Sequence, residues 1–133
     1  MGVVLRTDRA VPGLGAGPIA AAAAGAIRVM VIDDSLTVRT VFSRMIDREP
    51  DLAVIAQAPT AEQGLTLLRS ARVDIILLDL EMPGMGGLEA LPQILAAAQG
   101  AQVLVVSSLT TDGAEATLSA LQMGAADTML KPR

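Results

Sequence analysis

Asp33, Asp34, Asp79, Ser107 and Lys131 are the residues whose types and placement can do chemistry in this chain. Each closes a nearly continuous apolar run: IRVMVI before the aspartate pair, VDIILL before Asp79, QVLVV before Ser107 and DTML before Lys131. Such runs are expected of strands buried on both faces of a parallel sheet. In open α/β folds the carboxyl ends of those strands form the ligand crevice. Three carboxylates brought together there repel one another unless a cation sits among them. A single aspartate after a strand commonly caps a turn or helix, but that explanation does not serve the whole set. The expectation is a divalent metal held by Asp33, Asp34 and Asp79, with the backbone carbonyl of Glu81 completing the protein's share. Ser107 and Lys131 would face it as an anion pocket suited to a transferring phosphoryl group, with Asp79 as nucleophile.

Composition narrows the chemistry. The chain has no Cys and no His, which removes disulfides, the usual zinc sites and His- or Cys-based nucleophilic catalysis. A metal must then be held by oxygen, pointing to Mg²⁺, Mn²⁺ or Ca²⁺. The net charge of −4 and pI near 4.6 argue against nucleic acid or an anionic membrane as partner. Residues 18–27 are too short and alanine-rich to span a bilayer, and a cytoplasmic setting is expected. Hydrophobic residues make up 52% of the 133, yet Phe42 is the single aromatic, so one aliphatic-cored domain is expected.

Residues 1–25 read as a flexible leader rich in Gly, Ala and Pro. Gly13, Gly15 and Gly17 lack the spacing and the preceding strand of a dinucleotide loop. The folded domain is expected over 26–133. Strands are predicted at Ile27–Ile32, Leu52–Ala58, Val73–Leu78, Gln102–Val106 and Asp127–Leu130. A helix over about 35–48, capped by Ser35, carries Val38, Val41, Phe42, Met45 and Ile46 on one face. Thr60 to Gln63 forms a capping box for a helix to about Ala71. Leu88, Leu91, Ile94 and Leu95 mark a third helix, which Pro92 should shorten or bend. Asp112 with Glu115 would cap a fourth, bearing Ala114, Leu118 and Leu121 on one face and ending at Gly124. The chain ends at Arg133 before a fifth helix. Strict alternation predicts an α/β, doubly wound, five-stranded parallel sheet in the flavodoxin-like order 2-1-3-4-5.

MVIDDS at 30–35, ILLDLEMPGMGG at 76–87, VVSS at 105–108 and GAADTMLKP at 124–132 resemble the receiver domain of two-component response regulators over about residues 27–132. The resemblance implies that Asp79 accepts a phosphoryl group from a histidine kinase. It implies that Asp33, Asp34, Asp79 and the Glu81 carbonyl hold Mg²⁺ (Mn²⁺ as the alternative), and that Ser107 and Lys131 contact the phosphoryl oxygens. It also implies a cis Lys131–Pro132 bond. DLEMPGMGGLEAL and SSLTTDGAEATLSALQMGAAD are more narrowly similar to the receiver of the chemotaxis protein-glutamate methylesterase. The chain would then regulate a methylesterase output domain beyond Arg133, or a partner protein, through the fourth helix and fifth strand. Beyond its own phosphorylation and dephosphorylation, no substrate-processing activity is expected. A stand-alone or DNA-binding regulator's receiver is the alternative, and an Mg²⁺-dependent phosphatase with an aspartyl nucleophile is less favoured. Two positions depart from the family. Gly86 replaces a loop aspartate, and Thr128 stands where an aromatic switch residue is usual.

Overall fold

The computed structural model describes residues 19–22, 24–82 and 84–132, so most of the expected leader, residues 1–18, lies outside the described residues. Five strands alternate with four helices. The strands are β1 (Ile27–Ile32), β2 (Leu52–Ala58), β3 (Ile75–Asp79), β4 (Gln102–Ser107) and β5 (Asp127–Leu130). The helices are α1 (Leu36–Asp47), α2 (Ala61–Leu68), α3 (Gly87–Ala97) and α4 (Thr111–Met123). All strand pairs are parallel, in the expected order β2-β1-β3-β4-β5.

Alternation along the strands divides the apolar residues between two faces. Met30, Ile32, Ile76, Leu78, Val103 and Val105 pack beneath Leu67, Leu91, Ile94 and Ala120 of the helices on one side. Val29, Val31, Leu77 and Val106 face the other way and meet Phe42 of α1, with Val38 and Ile46 alongside. The register of β1 on β2 slips between Val29 and Met30, leaving Ile55 as an extra residue. Its carbonyl accepts the Ala20 N–H at 2.7 Å, while Ile19 and Ala22 pack against the larger core. Residues 19–22 are thus tied to the sheet edge.

Several local expectations are corrected. β3 starts at Ile75 instead of Val73 because Asp74 is engaged elsewhere. Its carboxylate takes the Arg28 N–H at 2.8 Å and the Arg28 guanidinium at 3.2 and 3.3 Å. α2 stops at Leu68, short of Ala71, and only the Thr60 half of its capping box is formed, with Thr60 Oγ1 accepting from Gln63 N–H at 3.1 Å. α3 runs eleven residues through Pro92. Pro92 lies on the exposed face, where water can serve the carbonyl left without a donor. α4 is capped by Thr110, whose hydroxyl accepts the Gly113 N–H, and not by Asp112 with Glu115. Its packed face is Gly113 and Ala120, while Ala114, Leu118 and Leu121 face out. Met45 on α1 is likewise exposed. The Lys131–Pro132 bond is trans.

Phe42 is the single buried residue of α1 and supplies most of the volume under that helix. Phe42→Ala should lower the unfolding free energy by about 3–5 kcal/mol, read from urea denaturation. A loss under about 1 kcal/mol would mean that this face is not a second core layer.

A buried acidic site at the carboxyl edge of the sheet

Asp33 follows β1 and Asp79 ends β3, and these strands are neighbours. The topology therefore brings the two acids together at the crevice. Both residues are 1% exposed. Asp34 joins them from the surface, and one carboxylate oxygen from each of the three lies within 4.8 Å of the others. Lys131, just past β5, reaches across so that its Nζ lies 3.2 Å from Asp79 Oδ1.

Local backbone holds each acid in place. Asp33 Oδ1 accepts the Ser35 N–H at 2.9 Å, and Ser35 in turn caps α1. Asp79 Oδ1 accepts the Glu81 N–H at 2.8 Å. The Arg39 guanidinium donates to the Asp33 carbonyl at 2.7 Å, pinning the strand end to α1. Gly87 opens α3 directly over the backbone of Asp79 and Leu80, where a Cβ would collide with the Asp79 carbonyl. Gly86 caps the helix with backbone alone, as its lack of a side chain implies.

Asp33 Oδ2 and Asp79 Oδ2 are buried without a hydrogen-bond partner. Such atoms are costly unless something else satisfies them. Burial pushes the Asp79 carboxyl up to about 7, with Asp33 adding to the rise and the Glu81 N–H and Lys131 opposing it. Burial also raises Asp33. Burial alone would lower Lys131, but the facing carboxylates of Asp79, Asp33 and Glu81 hold it above the ordinary lysine value. Three oxygen-bearing acids, two with an unpartnered buried oxygen, match the donor preference of a hard divalent cation.

Ser107 ends β4 beside this cluster but turns its hydroxyl elsewhere. It is 3% exposed and shares a 2.8 Å hydrogen bond with Thr117 Oγ1 on α4. Thr128 lies on β5 and lines a groove of about 440 Å³ with Ser107, Thr117, Leu118, Leu121 and Met129. The Glu81 side chain spans to the β4–α4 loop, accepting the Ser108 N–H at 2.5 Å and the Ser108 hydroxyl at 2.7 Å. Burial opposes it, but these bonds win and hold the Glu81 carboxyl below its usual range. Sequence reasoning missed Arg39, Thr117 and Ser108. Arg39 alone left a signal, as a cation one turn into the helix that follows the acidic pair.

The family model for the response regulator receiver domain matches residues 29–133, and the chain belongs to that family. The protein-glutamate methylesterase/protein-glutamine glutaminase of Maricaulis maris is 44% identical over 116 residues, covering 87% of this chain and 29% of that protein. The chain therefore spans under a third of the length of such curated relatives. The response regulator domain of Thermotoga maritima CheB superposes with a TM-score of 0.73 at 40% identity, covering 81% of this chain and 80% of its own. A structure of the P1 domain of CheA3 in complex with CheY6 from R. sphaeroides gives 0.67 at 33% identity, covering 80% and 83%. Among the described residues no helix is long and apolar enough to cross a membrane.

A folded-state Asp79 value near 7, against 3.8 for the free side chain, means that the fold binds a proton the unfolded chain releases. Its contribution to stability is fully present below about 3.8 and is lost as pH rises through about 7. With EDTA present, this contribution should lower Tm from about pH 4 to about pH 7 and level off above, and millimolar Mg²⁺ should restore more of it at the higher pH. A Tm that climbs with pH in EDTA would contradict this charge assignment.

Proposed function

We propose that this chain is a phospho-accepting receiver in a chemotaxis-type pathway, with Asp79 the acceptor and a histidine kinase the donor. The observation that carries the reading is Asp79 itself. It is buried, its Oδ1 is held by Lys131 and the Glu81 N–H, and its Oδ2 is unpartnered. An attack by this carboxylate forms an Asp79 O–P bond as the P–N bond of the donor phosphohistidine breaks, and the donor imidazole leaves neutral once protonated. Lys131 offsets charge on the phosphoryl oxygens. Ser107 would contact them once its hydroxyl leaves Thr117.

Asp33, Asp34, Asp79 and the Glu81 carbonyl would hold Mg²⁺, or Mn²⁺ in its place. When bound, that ion supplies neutralisation of charge on the phosphoryl oxygens. The hard-oxygen donor set and the two orphaned buried oxygens support this assignment. The methylesterase relatives support an output methylesterase domain in cis, which would be addressed through the face of α4 and β5 in a cytoplasmic protein. Residues 1–25 would be a leader to the receiver at 26–133. A phosphatase is disfavoured by the state of Glu81. Tied to Ser108 and held deprotonated, it is a poor acid for a leaving group.

Acetyl phosphate with Mg²⁺ should add the mass of one acid-labile phosphoryl group to the intact protein. Asp79→Asn should remain unmodified, as should the wild type in EDTA. Modification of Asp79→Asn at the wild-type level would overturn the assignment.

A further inference from the structure

Ser107 stands between the two strands that carry the reacting groups. Val106, one residue earlier, is the register partner of Asp79, and the Ser107 carbonyl accepts the Lys131 N–H at 2.9 Å. Its hydroxyl nevertheless bonds Thr117, on α4 and not on either neighbouring strand. Ser107 is almost fully buried, so its hydroxyl needs a partner in every state. A hydroxyl has one proton to give. A bond donated to an anion is roughly twice as strong as one between neutral groups. With Ser107 as the donor of the bond it shares with Thr117, an anion on Asp79 and the Thr117 oxygen compete for one proton, and the anion prevails.

We propose that Thr117 is a positioning residue that holds the Ser107 hydroxyl away from Asp79 at rest and yields it when a tetrahedral anion is attached there, so that α4 reads the state of the acid pocket. This rests on Asp79 as the acceptor. Thr117 faces the same groove as Leu118, Leu121, Thr128 and Met129, so the change at its hydroxyl is delivered among the exposed apolar side chains of α4. The small side chain of Thr128 leaves that groove open, and transmission here runs through a pair of hydroxyls without a ring. Linkage makes the coupling reciprocal: whatever removes the competing partner must tighten anion binding.

The test uses beryllofluoride with Mg²⁺ as the phosphoryl mimic on the full chain, with affinity and methyl NMR shifts as readouts. Thr117→Val should bind the mimic about two- to tenfold more tightly than wild type, while the Leu118 and Leu121 methyls lose most of their response. Thr117→Ser should restore both. In a Ser107→Ala background the Thr117→Val change should leave affinity unaltered, which a merely structural role for Thr117 would not produce. Equal affinity of Thr117→Val and wild type, with unchanged methyl shifts, would overturn the proposal. If wild type bound the mimic only at a site that survives Asp79→Asn, the acceptor assignment would fail first, and the proposal with it.

Discussion

Three carboxylates share one end of the sheet with a single ammonium group, and this shortage of positive charge is the constraint around which the structure is arranged. Two of the acids are buried, where charge is expensive. Lys131 meets only one of them at ion-pair distance. Arg39, the other cation close by, spends its donor on the Asp33 carbonyl and not on a carboxylate. The remaining imbalance has two remedies: a proton on Asp79 or a divalent cation among the acids. The first matches the raised Asp79 value, and the second would make the site responsive to an ion. Only the second would leave Asp79 deprotonated and so able to act as the proposed phosphoryl acceptor.

The fold meets this constraint with backbone. Strands β1 and β3 lie side by side, so the acids converge without long side chains reaching for each other. Ser35 and Glu81 donate N–H groups to the acids from the loops that follow. Gly87 lets α3 begin against the Asp79 backbone, a place closed to any residue with a Cβ. Outside this rigid cradle the side-chain links run toward α4. Glu81 is tied to Ser108, and Ser107 to Thr117. The carboxyl edge of the sheet is therefore wired to one helix, and that helix presents Leu118 and Leu121 to solvent.

Much of this was legible from the residue order. Apolar runs ending in acids gave β1 and the convergence of Asp33, Asp34 and Asp79, because continuous apolar runs mark strands buried on both faces, and strict alternation with helices puts their carboxyl ends on one edge of a parallel sheet. Which side of α4 packs was not legible, for a physical reason. Leu118 and Leu121 have the spacing of a buried face, but the residues of α4 that pack are the small Gly113, against the Ser108 carbonyl, and Ala120. β3 begins late because Asp74 answers Arg28, a pairing forty-six positions apart that local patterns do not contain. The hydroxyl pair of Ser107 and Thr117 was equally hidden, since serine and threonine at those positions read as ordinary strand-end and helix residues. Chemistry carried by type and strand position could be read; chemistry carried by side-chain direction could not.

The central claim is that burial and crowding with other acids leave Asp79 short of positive charge until a cation arrives. Carboxyl ¹³C NMR of Asp79 tests it most directly. In EDTA the resonance should titrate near 7, and saturating Mg²⁺ should move that titration well down toward or below the ordinary carboxylate range. A metal-free titration already near the free side chain's 3.8, insensitive to Mg²⁺, would contradict the account.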